Sequence, residues 1–178
     1  MIRPNDPVLV IKNEGKMKTT FMSWGFISPW IKDPFDKKTP RPFNARSETV
    51  EEKQLFSGSW RHKRCLIPAS GFFEKNFRIR KENYETFWLG GIWSKWTSTD
   101  GSEIESCCVL TTEPNDLIKP LHNRMPVVIP NGYEKQWTEQ IKDSHELKGL
   151  LPLMMPWSPT RWVLEDIYKK QYVQKNLF

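Results

Sequence analysis

Three side chains that could carry acid–base or positioning chemistry occur at separate points of the sequence. His122 opens the segment "HNRMP", Glu74 ends "GFFE", and Asn44 opens "NARSET". A carboxylate beside aromatic rings tends to be desolvated, which raises its pKa and suits it to proton transfer. Each residue also has an ordinary structural explanation: His122 and Asn44 could cap turns, and Glu74 could pair with a lysine.

Arginines and tryptophans accompany these polar residues. Arg46 and Arg124 lie in the same segments as the asparagine and the histidine, and Trp24 and Trp30 flank a glycine in "WGFISPW". Guanidinium groups bind phosphates, and tryptophan rings stack on nucleobases. Instead of stacking on a nucleobase, Trp24 could simply pack in the protein core.

The composition is that of a globular domain with a small excess of positive charge. The 178 residues include 27 Lys and Arg against 21 Asp and Glu, and 38% of them are hydrophobic. The nine tryptophans exclude a disordered chain. The net charge of +6 favours a polyanionic partner only if the cations cluster on one face, and the densest run is "RHKR" at residues 61–64.

Cysteine usage predicts neither disulfides nor a metal centre. Cys65, Cys107 and Cys108 lie in strand-like segments and have no Cys-x-x-Cys or Cys/His spacing. No signal-peptide pattern and no apolar stretch of about 18 residues occurs. We therefore expect a cytoplasmic protein with reduced cysteines and with no metal, cofactor or membrane partner.

Turn residues and hydrophobic periodicity predict the elements that position these side chains. Two β-prone runs flank the Asn-Glu-Gly tripeptide at 13–15 and predict a hairpin, which a proline-studded loop over residues 28–44 follows. The pattern Thr49-x-x-Glu52 is typical of a capping box and predicts a helix that continues to Gly58.

The rest of the chain is predicted to consist mainly of strands. The β-prone segments are, in order, "RCLIPA", "GFFEK", "FRIRK", "ETFWLGGIWSKW" and "IESCCVLTT". "EPNDLIKPL" then predicts a short helix and "MPVVIP" a buried strand. Tyr133, Trp137 and Ile141 form the i, i+4, i+8 stripe of another helix. We expect an α+β fold, in which an antiparallel or barrel-like β core carries a few peripheral helices.

The order and spacing of three motifs resemble those of the SOS response-associated peptidase (SRAP) family. That family carries an Asn-Ala-Arg-x-Glu-Thr motif, a Gly-aromatic-aromatic-Glu motif and a His-x-Arg-Met-Pro motif. Here they occupy residues 44–49, 71–74 and 122–126. "WGFISPW" and "RCLIPASGFFE" resemble two further family segments. The resemblance extends from about Pro4 to Trp137.

The resemblance implies recognition of abasic sites in single-stranded DNA. Family members bond covalently to the exposed sugar aldehyde through a cysteine at position two, which is freed when the initiator methionine is removed. The amine and thiol of that cysteine close a thiazolidine ring on the aldehyde. An N-terminal amine, with a pKa of about 8, is partly unprotonated at neutral pH and can form an imine.

Individual roles also follow from the resemblance. Asn44 would position the amine, Glu74 would transfer protons, and His122 would stabilise or protonate the opened sugar. The residues expected to bind DNA are Arg46, Arg124, Trp24, Trp30, Pro4 and Thr111. The expected partner is single-stranded DNA with abasic sites, bound by a monomer that is associated with the nucleoid when on DNA.

Both ends of the chain depart from the family pattern. Position two is Ile2, no Met-Cys-Gly-Arg start is present, and "IRPNDPVLVI" resembles a family segment that lies well downstream of such a start. We therefore expect a single domain over residues 1–178, truncated at its N-terminus relative to the family. Lys75 replaces the tryptophan that usually follows the motif glutamate. Residues 150–178 lack the family's Val-Ser-x-x-Val-Asn ending, and their path is not predicted.

Three interpretations remain open at the level of sequence. In the first, the protein is an SRAP enzyme whose start was misassigned or trimmed. In the second, it is a relative that lacks the nucleophile and binds single-stranded or damaged DNA non-covalently. The third is a structural protein that keeps only the fold, or a hydrolase that uses His122 and Glu74 differently. The internal cysteines do not replace the nucleophile, because ring closure needs an amine and a thiol on one residue. An in-frame Met-Cys-Gly-Arg upstream of the Met1 codon would separate the first interpretation from the second.

Overall fold

Strands form most of the regular structure in the computed structural model, which describes residues 1–141 and 143–169. The strands are β1 (Pro7–Asn13), β2 (Met17–Trp24), β3 (Asn44–Arg46), β4 (Arg64–Ala69), β5 (Phe72–Glu74), β6 (Phe77–Lys81), β7 (Phe87–Thr97), β8 (Glu103–Thr112), β9 (Met125–Pro126), β10 (Val128–Ile129) and β11 (Trp162–Asp166). The helices are α1 (Gln54–His62), α2 (Glu134–Thr138) and α3 (Ser144–Lys148), followed by a 3-10 turn at Leu151–Met154.

Five of the strands close into a barrel. Around the ring the order is β7, β4, β1, β2 and β8, and β8 pairs again with β7. The pairings are antiparallel except for the short contact between β2 and β8, which is parallel. β3 and β9 extend the sheet from β8, and β10 extends it from β7. The predicted α+β fold with a barrel-like core is confirmed, and so is the hairpin over the first two strands.

The barrel closes where a glycine lets three strands approach one another. Gly91 of β7 pairs with Cys65 of β4 and with Val109 of β8. A Cβ atom at this position would lie 2.8 Å from the Cys108 carbonyl oxygen and 3.1 Å from the Cys65 Sγ. The absence of a side chain in Gly91 therefore permits the close contact.

The helices cover one face of the barrel strands and are tied to it by a buried arginine. Trp60 of α1 and Trp137 of α2 pack with ring centroids 5.8 Å apart, and both rings are fully buried. The Arg64 guanidinium donates hydrogen bonds to the carbonyl oxygens of both tryptophans, at 2.6 and 2.8 Å. Burial lowers the pKa of Arg64 to about 10. These bonds join α1, β4 and α2 into one unit.

The helix predicted from Thr49 is wrong at both ends. Residues 49–53 form turns in which the Thr49 carbonyl oxygen accepts from the Lys53 amide, and the helix begins only at Gln54. It also continues through Gly58 to His62. Burial of Phe56 and Trp60 on the core extends the helix, so tertiary packing outweighs the glycine's low helix propensity.

Two other helix predictions need correction. "EPNDLIKPL" forms turns rather than a helix, because the Asn115 side chain accepts the Ile118 amide at 3.1 Å and Pro120 has no amide hydrogen to donate. The helix predicted over Tyr133, Trp137 and Ile141 exists but is short. Trp137 is buried and Ile141 packs on the core, whereas Tyr133 is 45% exposed. The buried strand predicted in "MPVVIP" is present as β9 and β10.

A second, three-stranded antiparallel sheet lies beside the barrel. Its order is β11, β6 and β5, so the edge strand β5 carries Glu74. β11 belongs to the segment whose path the sequence did not predict, and residues 170–178 of that segment lie outside the described residues. An ion pair of 2.8 Å between Arg80 and Glu165 joins β6 to β11. Among the described residues, no helix is long and apolar enough to span a membrane.

Candidate functional site

A cleft of about 910 Å³ opens at one end of the barrel. Its walls come from the starts of β1 and β7 and from the ends of β2, β4 and β8, which meet there because most neighbouring strands run antiparallel. β3, β5, the segment 122–126 and the N-terminal residues 1–4 complete the wall. The predicted site residues that line the cleft are Pro4, Trp24, Asn44, Arg46, Glu74, Thr111, His122 and Arg124.

Glu74 and His122 meet across the cleft. The Glu74 Oε1 lies 3.8 Å from the His122 Nδ1, and the two side chains are 27% and 46% exposed. The same Nδ1 lies 3.2 Å from the Arg124 amide nitrogen and 3.0 Å from the Arg124 carbonyl oxygen. An unprotonated Nδ1 accepts from the amide, and a protonated Nδ1 donates to the carbonyl. The His122 Nδ1 therefore has a backbone partner whether or not it carries the hydrogen, and a carboxylate lies beside it.

Arg124 is held in place by a carboxylate to which the sequence assigned no role. Its guanidinium donates two hydrogen bonds to Glu48, at 2.8 and 2.7 Å, and a further one to the Thr111 carbonyl oxygen. Burial acts to raise the pKa of the Glu48 carboxyl, but the hydrogen bonds and charge of Arg124 hold this pKa below its usual value. Arg124 thus enters the cleft as a fixed and partly neutralised cation.

Asn44 and Arg46 point to the same exposed side of β3, and Ala45 between them is buried. β3 pairs in parallel with β8, which places Arg46 opposite Thr111. Among the described residues, no hydrogen bond joins the Asn44 or the Arg46 side chain to another residue, and the charge of Arg46 helps to lower the pKa of the nearby Glu48 carboxyl. Both are therefore available to a ligand in the cleft.

The two tryptophans predicted to contact DNA lie in different places. The Trp24 indole lines the cleft and is oriented by a hydrogen bond of 2.8 Å from its Nε1 to the Phe43 carbonyl oxygen. Trp30 is 59% exposed and lies outside the cleft lining. The carbonyl oxygen of its neighbour Ile31 accepts a hydrogen bond from Trp96 near the end of β7. The cleft is lined by the opposite end of that strand, its start. The structure therefore separates Trp30 from the other candidate residues.

The cysteines lie away from the cleft. Cys65, Cys107 and Cys108 are fully buried, and none of them lines it. Burial raises the pKa of Cys107 to about 12 and also raises the pKa values of Cys65 and Cys108. The three thiols are therefore protonated and inaccessible at neutral pH. No group of three His, Cys, Asp or Glu side chains within the described ranges is placed to hold a metal ion.

Comparison with known proteins identifies the family. The family model of the SOS response associated peptidase (SRAP) matches residues 1–169. The chain belongs to the SRAP family. The three motifs that resemble this family come from separate segments, and the SRAP fold brings all three to one cleft.

Several named relatives are similar in sequence to this SRAP chain. The abasic site processing protein YoaM of Bacillus subtilis is 33% identical over 166 residues, which cover 88% of this chain and 71% of the relative. The abasic site processing protein YoqW of Bacillus phage SPbeta is 34% identical over 146 residues, which cover 76% of this chain and 64% of the relative. The chain therefore spans about two thirds of the length of such relatives.

Solved structures share the SRAP chain's fold. A crystal structure of a protein from Bacteroides thetaiotaomicron has a TM-score of 0.78 at 24% identity, covering 90% of this chain and 73% of that protein. One from Bordetella bronchiseptica has a TM-score of 0.77 at 22% identity, covering 92% and 84%.

Proposed function

We propose that this SRAP protein recognises abasic sites in single-stranded DNA and that the cleft at the end of the barrel holds the lesion. The observation that carries the proposal is the meeting of Glu74 and His122, at 3.8 Å, in a cleft also lined by Asn44 and Arg46. Relatives at 33% and 34% identity are named abasic site processing proteins. Their names and the composition of the cleft support the same substrate.

The cleft has the groups that an abasic nucleotide needs. Without a base, the sugar is small enough to enter the cleft and opens to an aldehyde and a hydroxyl group. His122 can donate a proton to the sugar oxygen as the ring opens, and Glu74 stabilises the charged imidazole. The cation Arg46 lies where it can contact a phosphate beside the lesion, and the Trp24 ring offers a stacking surface to an adjacent base.

The covalent part of the proposal concerns a form of the protein that begins with cysteine. Residue 2 of this sequence is isoleucine, and the three internal cysteines are buried. In a form that begins with cysteine, the N-terminal amine condenses with the aldehyde to an imine and releases water. The thiol then adds to the imine carbon and its proton passes to the nitrogen, which closes the thiazolidine ring. Asn44 would orient the amine and Glu74 would accept and return protons.

Crosslinking to an abasic oligonucleotide tests this chemistry. The 178-residue chain should give no heat-stable adduct on a denaturing gel. A chain preceded by a segment that starts Met-Cys-Gly-Arg, once its methionine is removed, should give one, and Glu74→Gln or His122→Ala should slow adduct formation by about 100-fold or more. A heat-stable band from the chain with Ile2 would contradict the proposal and implicate Cys65, Cys107 or Cys108. Equal rates with and without the two substitutions would show that neither side chain takes part.

A further inference from the structure

The described helices leave part of the outer wall of the barrel uncovered. They pack against a buried cluster that includes Leu66 of β4, Ile92 of β7 and Leu110 of β8. Farther from the cleft, on the outer side of β2 and of the start of β8, Phe21 is 68% exposed and Ile104 is half-buried. An apolar stretch of the wall therefore remains at the surface.

Strand pairing places four apolar side chains in one row on this stretch. Leu9 of β1 lies directly opposite Phe21 of β2, and Trp96 of β7 lies opposite Ile104 of β8. β2 and β8 run parallel, and Phe21 and Ile104 each lie two residues before the first residue pair that joins these strands. Residues two apart in a strand point to the same face of the sheet. The four side chains therefore share the outer face.

The proline-rich loop after β2 adds an exposed ring beside this row. The Ile31 carbonyl oxygen accepts a hydrogen bond of 2.7 Å from the Trp96 Nε1, so the loop lies against one end of the row. Trp30, the residue before Ile31, is largely exposed. We call the combined area the outer apolar surface, which consists of Leu9, Phe21, Trp30, Trp96 and Ile104.

Hydrogen bonds within the loop fix its shape. The Asp33 carboxylate accepts from the Phe35 amide at 2.7 Å, and the Asp36 carboxylate accepts from the Lys38 amide at 2.8 Å. A loop that is already ordered presents Trp30 to a partner with little further loss of conformational entropy.

Positive charge borders the outer apolar surface. The loop carries Lys32, Lys37 and Lys38, and within the described part of the chain none of these three forms an ion pair. Of the nearby carboxylates, Glu103 pairs with Lys95 at 3.0 Å, and the two loop aspartates accept amide hydrogens. An acidic partner is therefore complementary to this surface, whereas a second copy of a chain with a net charge of +6 is not.

We propose that the outer apolar surface docks an acidic polypeptide segment of a partner protein. Apolar side chains of the segment pack on Phe21 and Trp30, and its carboxylates pair with the lysines of the loop. Exposed apolar patches mark interaction sites, and aromatic rings contribute much of the binding energy at such sites. No residue of this surface lines the cleft, so the cleft stays open when the partner is bound. The inference goes beyond the proposed function and does not depend on it.

A synthetic peptide tests this surface. The probe is a fluorescein-labelled peptide of about ten residues that contains only aspartate, glutamate, leucine and phenylalanine, and anisotropy follows its binding to the 178-residue chain. Phe21→Ser should weaken binding by about tenfold or more, because it removes a ring at the centre of the row. Lys32→Gln should weaken binding by about threefold at low salt and by a smaller factor at high salt.

Two substitutions elsewhere are the matched controls. Tyr84→Ser removes a similarly exposed ring from the turn after β6, and Lys119→Gln removes an exposed cation between β8 and β9. Neither should change the affinity for the peptide. Phe21→Ser should leave thermal unfolding and the affinity for an abasic oligonucleotide unchanged, because the Phe21 ring is exposed and lies outside the cleft lining.

Several results would overturn the assignment of this surface. One is a peptide that does not bind at up to about 1 mM, or that binds the Phe21→Ser variant as well as the unmodified protein. Equal binding of a peptide with lysine in place of every acidic residue would show that charge plays no part. Displacement of the peptide by an intact single-stranded oligonucleotide would reassign the surface to nucleic acid. A dimer in light scattering that Phe21→Ser dissociates would reassign it to self-association.

Discussion

Among single residues, Glu48 determines how Arg124 enters the cleft. The guanidinium forms a bidentate pair with Glu48 and also bonds to Thr111. The Arg124 side chain is only 17% exposed, so loss of its partner would leave a partly buried cation unpaired. The pair was not predicted from the sequence, because residues 48 and 124 are far apart in the chain and neither periodicity nor spacing reports such a contact.

Replacement of this carboxylate should lower stability in a manner that depends on pH. Glu48→Gln should reduce the free energy of unfolding at neutral pH by about 0.5–1.5 kcal/mol, since Glu48 is partly exposed. The pKa of Glu48 is lowered in the folded protein. Its contribution to the free energy of unfolding is therefore fully present above the pKa that Glu48 has in the unfolded chain, and it is lost as the pH falls through the folded-state pKa. Urea unfolding of both proteins should show the difference shrinking from about pH 5 to about pH 3. A difference that grows over this range would contradict the assignment.

Among the elements, the segment before β11 connects the strand of Glu74 with the segment of His122. The Trp157 Nε1 donates to the Pro126 carbonyl oxygen at 3.2 Å, and its ring meets Phe72 edge-on at 6.5 Å. Its carbonyl oxygen accepts from the Asn115 side chain at 2.9 Å. Phe72 lies in the strand of Glu74, and Pro126 ends the motif of His122. Trp157 therefore bridges the two segments that carry the pair.

Removal of this indole should be costly. Trp157→Ala should lower the free energy of unfolding by about 3 kcal/mol, because a partly buried ring that also stacks on Trp162 is lost. Trp30→Ala is the matched control and should cost less than about 0.5 kcal/mol, since Trp30 is largely exposed. Chemical denaturation measures both values. Similar losses in the two variants would show that Trp157 does not bridge the segments.

Local pattern explains which elements were predictable. β1 alternates buried and half-buried residues along its length, and the Asn-Glu-Gly turn marks its end, so the hairpin followed from the sequence. Every residue of β11 is half-buried, and its pairing partner β6 lies far away in the chain, so no local signal marked it. The candidate site residues were predicted from ordered family motifs, whereas nothing in the proline-rich loop indicated which end of the barrel Trp30 occupies.

At the scale of the whole molecule, barrel closure brings three distant motifs to one end. Closure depends on the contact at Gly91, where β4, β7 and β8 approach one another. The Cβ of any other residue would press on backbone atoms of β8, which have little freedom to move. The geometry of the cleft therefore depends on a glycine that does not line it.

A pair of glycine variants tests this dependence. Gly91→Ala should lower the free energy of unfolding by about 1–3 kcal/mol through overpacking. Gly58→Ala in α1 should leave it unchanged or raise it by up to about 1 kcal/mol, because the added methyl group enters open space and alanine favours the helix. Thermal unfolding of the two variants gives the comparison. Destabilisation by the α1 variant alone would contradict this account of the barrel.

We propose that the cleft selects a nucleotide that has no base, and the ratio of two dissociation constants tests this selectivity. Anisotropy titrations would use the 178-residue chain with a short single strand that carries one abasic site and with the same strand intact. We predict binding at least about tenfold tighter to the abasic strand, a difference of about 1.4 kcal/mol. In a double variant, Glu74→Gln with His122→Ala, that still folds, the ratio of the two dissociation constants should fall towards one. Equal affinity of the unmodified protein for the two strands, or a preference that the double variant keeps in full, would contradict the assignment of the cleft.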